Sequence, residues 1–532
     1  MVNYDYFFLK SKFFYSRYFY LILPTLYFIV LLFVSMTNRL IGDYGVETDF
    51  YVAYVPQAKE FLNGNLIIDS YRGPLYQIIL AIFGFIFKLD FFTAGKFLNV
   101  LSASISLYFI SKIVGSIFNR EAAFFTSLLL AVNLNFLRYS YTPGTDMLFL
   151  VFYSSALFWI LKSEELNNKN LFISGILTSM AYLTRYTGIS LIIFAFFVFI
   201  LQTVKKYKTT NSINLNLYLK PLLFFLTPLI FSISVWGLFC YKYTGYYFYN
   251  LNYQNTALTF YKPAEITKDE WIFKHQNTFN SLSDVVFRDF SVFSKKILLN
   301  FSTYFIKDIT RLFPKYFGLI FAIGLLFFVL KFKSQKTNEK YFFISGVIFY
   351  FQLLLIFYSE RFSIPLLPLY CFIIIKFFSY DFFQKFNFNF SKIRLFGVIL
   401  LSLILLNLYS SFVITKNELN AGPIEILDIK EWVNNNYKED LSKKTIMARK
   451  PHIAYYLNMK FEVTPYVENY SEFLNALKTT DADYYFVSEK EAGSFDNENL
   501  RQILLNFNNS PEELEIITKT VNPVSILYKV KK

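Results

Sequence analysis

Two cysteines, two histidines and a thin supply of charge are the first things to notice in this 532-residue sequence. Cys240 and Cys371 lie far apart in apolar blocks, so they build no disulfide framework and are expected as buried, small apolar residues. With only His275 and His452 present, a histidine-based metal site is nearly excluded. Charged residues make up 17% of the chain, against roughly 25% in soluble domains, which argues against an ordinary cytosolic enzyme. No internal repeat of the kind found in transporters is present.

In place of charge the chain is 55% hydrophobic and 21% aromatic, with a mean hydropathy of +0.37. Length alone would allow about three or four soluble domains. The apolar residues instead arrive in repeated blocks of membrane-spanning length, which predicts a polytopic α-helical membrane protein. The net charge of +14 is unevenly spread: residues 415–532 carry 15 basic and 18 acidic residues, the first 414 carry 37 and 20. The positive excess therefore belongs to the membrane part, where it sets orientation, and is no nucleic-acid footprint.

The first block, Phe19–Met36, follows Lys10, Lys12 and Arg17 and is read as a span rather than a cleaved leader. Further blocks lie near 93–117, 122–137, 147–161, 171–184, 188–204, 221–240, 314–330, 341–357, 363–377 and 395–414. The block Pro74–Phe87 would rise about 21 Å as a helix, short of the roughly 30 Å hydrocarbon core. If it does not span, the basic loops around Arg120, Lys162/Lys169, Lys205/Lys206/Lys208, Lys331/Lys333/Lys336 and Lys385/Lys392/Arg394 share the side of the N-terminus. The positive-inside rule prefers that arrangement. The expectation is about eleven spans plus a re-entrant or juxtamembrane helix at 74–87, with the N-terminus cytoplasmic.

Two domains are expected: 1–414 in the membrane, and 415–532 as a small extracytoplasmic α/β domain with helices at Ile424–Asn434 and Leu500–Phe507 and strands at Thr445–Ala448 and Tyr484–Val487. The outer face would also carry a first loop, 37–73, and a large loop, 241–313, in which Phe293–Ile306 has the pattern of an amphipathic helix on the membrane surface.

Ionisable residues near membrane depth are costly and mark function. Here they gather at the outer ends of spans: Asp49, Arg72, Asp146, Arg185 and Arg361. Arginine holds phosphate oxygens with a planar, permanently charged fork, and a carboxylate can take a hydroxyl proton, so the set suits chemistry on a lipid-linked phosphate. Plainer roles compete: Asp49 and Asp146 as helix caps, each arginine as a snorkelling anchor, Glu360 as a local partner of Arg361. Asp43 and Glu47 are rivals of Asp49. In the tail, Lys450, His452 and Tyr455 form no triad, and His452 is expected as a satisfied surface residue.

The same residues resemble GT-C type glycosyltransferases, the integral membrane class that uses polyprenyl-phosphate sugars, and within it the protein O-mannosyltransferase and lipid A aminoarabinose transferase branch. The likeness runs from about 40 to 370 through Asp49, Tyr54, Ala58 and Gly64; Arg72 with Pro74-Leu75-Tyr76; Asp146; Gly175 to Leu183-Thr184-Arg185; and Arg361-Phe362 with Pro365 and Pro368. Two departures stand out: Phe50 follows Asp49 where many relatives have a second acid, and Arg185 replaces the commoner lysine.

The resemblance implies an inverting enzyme that moves a sugar from a polyprenyl-phosphate donor to a hydroxyl on a lipid, glycan or protein at the extracytoplasmic face of a membrane such as the bacterial inner membrane. It implies Asp49 and Asp146 as catalytic residues, Arg72, Arg361 and Arg185 at the donor phosphate, and Glu47, Tyr51 and Tyr54 near sugar or acceptor. No metal or other cofactor is expected, only membrane lipid, donor and acceptor as partners. The alternatives are a lipid-diphosphate-dependent O-antigen polymerase or ligase, and a non-enzymatic transporter or flippase.

Overall fold

The computed structural model describes residues 14, 16–162, 167–210, 215–266, 268–275, 278–380, 383, 389–390, 393–467, 469–492, 498–506 and 511–531. Lys10, Lys12, Lys385, Lys392 and Phe507 lie outside the described residues. The chain is mostly helical, with several long apolar helices and a small sheet near its C-terminus. It divides into two compact units: Met1–Phe33 with Leu66–Lys416, and Val34–Asn65 with Asn417–Lys532.

In the first unit every expected apolar block is helical. Phe91–Ile117, Thr145–Lys162, Asn168–Thr184, Ile189–Thr210, Leu215–Thr244, Lys315–Leu330 and Thr337–Leu353 match the blocks within a few residues. Short polar side chains punctuate them. Asp90, Asn119 and Asn167 each sit just before a helix and accept from its first free backbone N–H groups, at Thr93, Ala122 and Lys169. By length and composition, six described helices can cross a membrane, or seven if one bent pair counts as a single span. Shorter apolar helices, including Leu75–Phe87, accompany them.

The bent pair corrects one expectation. The block 122–137 is not one rod but two helices, Arg120–Ala131 and Leu134–Tyr141, meeting at 66°. Asn133 is the cause: its side-chain oxygen accepts from the N–H groups of Asn135 and Phe136, which starts a new helix in place of continuing the old one.

The large outer loop folds into helices Tyr253–Tyr261, Lys268–His275, Leu282–Arg288 and Phe290–Arg311. The last of these is the expected amphipathic helix, begun three residues earlier, where Asp289 caps its start by accepting from Val292 N–H, and continued five residues further to Arg311. Cys240 and Cys371 are free and buried.

The second unit is built on a five-stranded mixed sheet in the spatial order Lys460–Val463, Thr445–Ala448, Tyr484–Ser488, Val524–Val530, Leu514–Val521. The first three strands run parallel and the last two pair antiparallel. Ile446, Tyr484, Phe486 and Leu527 point to one face; Met447, Tyr485, Val487 and Ile526 point to the other. Both faces are covered, which explains why Tyr484–Val487 reads as an uninterrupted apolar run. Helices Ile424–Asn436 and His452–Leu457 cover the first face, Tyr470–Thr479 and Glu498–Leu505 the second. The early loop joins this core: Ile41 is buried in the first face and Tyr44 packs against it.

Candidate active site

The first unit draws three of the expected residues into one cluster. Asp146 is the second residue of Thr145–Lys162, where a carboxylate also meets the positive end of the helix dipole. Arg185 follows directly on Asn168–Thr184, at the extended residue that ends that helix before the tight turn Tyr186–Gly188. Arg361 comes from the irregular segment between Thr337–Leu353 and Ile364–Leu366. The Asp146 carboxylate receives both guanidinium groups, Arg185 Nη1 at Oδ1 and Arg361 Nε at Oδ2, the latter at 2.6 Å. Asp146 is 5% exposed and the two arginines 16% and 18%. The Arg185 guanidinium also lies 5.2 Å above the Phe362 ring. Two permanent guanidinium cations thus converge on one carboxylate, a grouping of fixed positive forks that suits an anionic ligand.

Arg72 lies beside this turn. Asp69, which is not among the expected site residues, pairs with Arg72 Nη1 at 3.0 Å and also accepts from the N–H groups of Tyr71 and Arg72. The spacing Asp-Ser-Tyr-Arg was the available signal, since an aspartate readily bonds the backbone two or three residues on. Tyr186 OH donates to the Arg72 carbonyl at 3.3 Å. The next residue, Gly73, sits so close to the end of Asn168–Thr184 that a Cβ there would lie 2.0 Å from the Leu183 carbonyl oxygen. The Pro-Leu-Tyr motif then opens helix Leu75–Phe87, with Tyr76 fully buried.

Glu360 is no partner of Arg361. It pairs with Arg311 at 3.0 Å, because Phe290–Arg311 runs alongside the segment.

Asp49, Glu47, Tyr51 and Tyr54 belong to the second unit. Asp49 is followed by helix, whose first turn, Phe50–Tyr54, is a π-helix that passes into Val55–Leu62. Asp49 precedes it in helical conformation and makes no side-chain capping bond. The motif residues Tyr54 and Ala58 are buried, at 3% and 0% exposed, and Gly64 follows the helix with φ +89°, a conformation favouring glycine. Glu47 is fully buried: Arg39 Nη2 reaches both its oxygens at 2.8 Å and Asp43 N–H donates at 2.7 Å. Burial raises the Glu47 carboxyl above its ordinary range, and Arg39 pulls it back. Tyr51 is 3% exposed, and its hydroxyl accepts from Gly42 N–H and bonds Tyr456 OH.

His452 corrects another expectation. It is fully buried rather than on the surface. Its Nε2 lies 3.1 Å from the Asp43 carbonyl oxygen and must carry the proton, since a carbonyl only accepts. The Tyr51 and Tyr44 rings pack on it with centroids 4.4 and 4.9 Å away. Burial holds its pKa down at about 3, so the ring is neutral. The loop carrying Asp49 is thus held to the second unit's sheet by Ile41, Tyr51 and His452. Among the described residues no group of three or more His, Cys, Asp or Glu side chains is arranged to hold a metal ion.

Residues 71–231 match the family described as dolichyl-phosphate-mannose-protein mannosyltransferase. No curated protein matches the chain in sequence. Among solved structures, ArnT from Cupriavidus metallidurans bound to undecaprenyl phosphate is similar at TM-score 0.54 and 11% identity, over 96% of this chain and 98% of that one. The apo state of the same protein gives 0.52 and 12%, over 95% and 97%. The Archaeoglobus fulgidus oligosaccharyltransferase tethered with an acceptor peptide gives 0.50 and 12%, over 89% and 69%. In fold, and over residues 71–231 in sequence, the resemblance read from the motifs holds: this is an integral membrane protein with the fold of the GT-C glycosyltransferases.

Proposed function

We propose that this chain transfers one sugar from a polyprenyl phosphate to an acceptor hydroxyl at the outer membrane face, with inversion at the anomeric carbon. The observation that carries the reading is the Asp146–Arg185–Arg361 cluster, a largely buried pair of guanidinium groups fixed on one carboxylate. The similar fold of ArnT, solved with undecaprenyl phosphate bound, supports a polyprenyl phosphate as the donor's anionic part.

In this reading Arg361, Arg185 and Arg72 take the donor phosphate. Asp49 removes the acceptor proton while the hydroxyl oxygen attacks the anomeric carbon from the side opposite the phosphate. The carbon–oxygen bond to phosphate breaks, and the lipid leaves as a phosphomonoester whose added negative charge the arginines stabilise more strongly than the ground state. Asp146 holds the arginines in place. Glu47, whose carboxylate is already occupied by Arg39, supports the loop carrying Asp49 and does no proton transfer. Lysine at 185 would offer a point charge; arginine offers a fork that can hold Asp146 and a phosphate oxygen together.

The test is transfer of radiolabel from a panel of polyprenyl-phosphate sugars to extracted envelope lipids and glycans, in wild type and Arg361→Ala. Transfer from one such donor, lost in the variant, supports the reading. Transfer only from a lipid-diphosphate donor, or none from any donor, overturns it.

A further inference from the structure

Helix Phe290–Arg311 makes a bond to each successive step of the segment that leads to Arg361. Asn300 Nδ2 donates to the Leu354 carbonyl at 3.0 Å, and Tyr304 OH to the Ile356 carbonyl at 2.8 Å. Asp308 accepts from Tyr358 OH at 3.0 Å and from Tyr370 OH at 2.9 Å. Arg311 Nη1 donates to Glu360 at 3.0 Å. Positions 300, 304, 308 and 311 form a single helical stripe, since each step is three or four residues. Asn300, Tyr304 and Asp308 are 4%, 7% and 1% exposed, while Leu298 and Ile306 on other faces are 72% and 58% exposed. The polar stripe is therefore a rail, internal from Asn300 to Asp308 and exposed at Arg311, along which residues 354–360 are laid out in order.

An irregular segment carrying a phosphate-binding arginine would otherwise sample several conformations, and each would cost binding energy. The rail ends one residue before Arg361, and the backbone then closes in short turns, with Phe362 N–H on the Ser359 carbonyl at 3.0 Å and Ser363 N–H on the Glu360 carbonyl at 3.2 Å. Asp308 is the centre of the rail: a buried carboxylate that holds Tyr358 of the segment and Tyr370 of the helix beyond it.

We propose that Asp308 is a positioning residue for Arg361: by gripping Tyr358 and Tyr370 from either side of the turn it holds the Arg361 guanidinium on Asp146, ready for the donor phosphate. This rests on the reading of Arg361 as a donor-phosphate ligand.

The experiment compares Asp308→Asn, Tyr358→Phe, Arg361→Ala and the double variant Asp308→Asn/Arg361→Ala in the full chain, using the active polyprenyl-phosphate sugar as donor. Two quantities are read: the donor KM and kcat, and backbone amide exchange at Phe362 and Ser363 without donor. Asp308→Asn and Tyr358→Phe are expected to raise the donor KM and lower kcat, together a loss of about 3–10-fold in kcat/KM, the equivalent of one hydrogen bond of ordinary net strength, because a misplaced Arg361 loses both phosphate binding and transition-state stabilisation. Amide exchange at 362 and 363 rises in both, and the KM effect disappears in the Arg361→Ala background. Unchanged exchange in Asp308→Asn overturns the positioning whatever the donor does. So does a KM effect that persists in full without Arg361. If Arg361→Ala leaves both the donor KM and kcat as in wild type, the phosphate reading falls, while the exchange measurement still decides whether Asp308 holds the turn.

Discussion

Arg361 Nε lies 2.6 Å from Asp146 Oδ2, although 215 positions separate the two residues in the chain. The other oxygen of the same carboxylate takes Arg185. An aspartate bound on both oxygens by guanidinium groups is poorly placed to accept a proton from substrate, and well placed to fix two cations that would repel each other without it. The geometry of Asp146 therefore suits the holding role proposed for it rather than proton transfer.

Asp146→Asn keeps the size of the side chain and removes its charge. It is expected to destabilise the protein by about 3 kcal/mol, the low end of the cost of breaking a buried ion pair, and to raise the donor KM. Thermal unfolding and donor titration check this together; wild-type values in both would end the clamp.

Asp49→Asn is expected to keep expression and the unfolding profile while cutting transfer by about 10² to 10⁴-fold, the usual range for a lost general base. Glu47→Gln should do the reverse, lowering stability because Arg39 would lose its buried partner. Wild-type-like turnover in Asp49→Asn would move the base to Asp43.

Gly73→Ala places a methyl group 2.0 Å from the Leu183 carbonyl oxygen. Either the loop or the end of Asn168–Thr184 must shift, at about 1–3 kcal/mol for overpacking. Since that loop carries Arg72 and that helix end carries Arg185, donor KM should rise more than acceptor KM. Equal effects on both would show that the two arginines do not meet the same ligand.

The second unit carries a pH signature. Burial pushes the Glu491 carboxyl up to about 8, partly offset by Lys450 and Arg449, and holds His452 down at about 3. For Glu491 the folded chain keeps its proton longer, so its contribution is full below the unfolded value of 4.5 and is lost as pH rises to about 8. For His452 the unfolded chain takes the proton first, so stability is lost as pH falls below 6.5. Between pH 6.5 and 8 Glu491 keeps its proton in the folded chain and is ionised in the unfolded one, so its contribution to stability should fall at up to about 1.4 kcal/mol per pH unit. Glu491→Gln should remove that slope, as read by amide exchange over 417–532 at the two pH values. A slope that survives the substitution assigns it elsewhere.

The sequence by itself determined where the chain is helical, because spans need uninterrupted apolar length and Asp90, Asn119 and Asn167 mark where helices begin. It also determined which ionic side chains were conspicuous, since charge at membrane depth needs a reason. It did not show the break at Asn133, where one short amide outcompetes helix continuation in a run that is otherwise apolar enough to span. Only the tertiary structure decided the partnerships. Asp146, Arg185 and Arg361 are alike in the sequence, each a charge beside an apolar block, and pairing distances are set by how segments apart in the chain pack. The same holds for Glu360, drawn from its neighbour to Arg311, for the rail of Asn300, Tyr304 and Asp308, and for His452, whose burial against Asp43 and Tyr51 depends on an early loop folding onto a late sheet. Local pattern reports what a residue can do; which group it does it with is a matter of packing between segments tens to hundreds of residues apart.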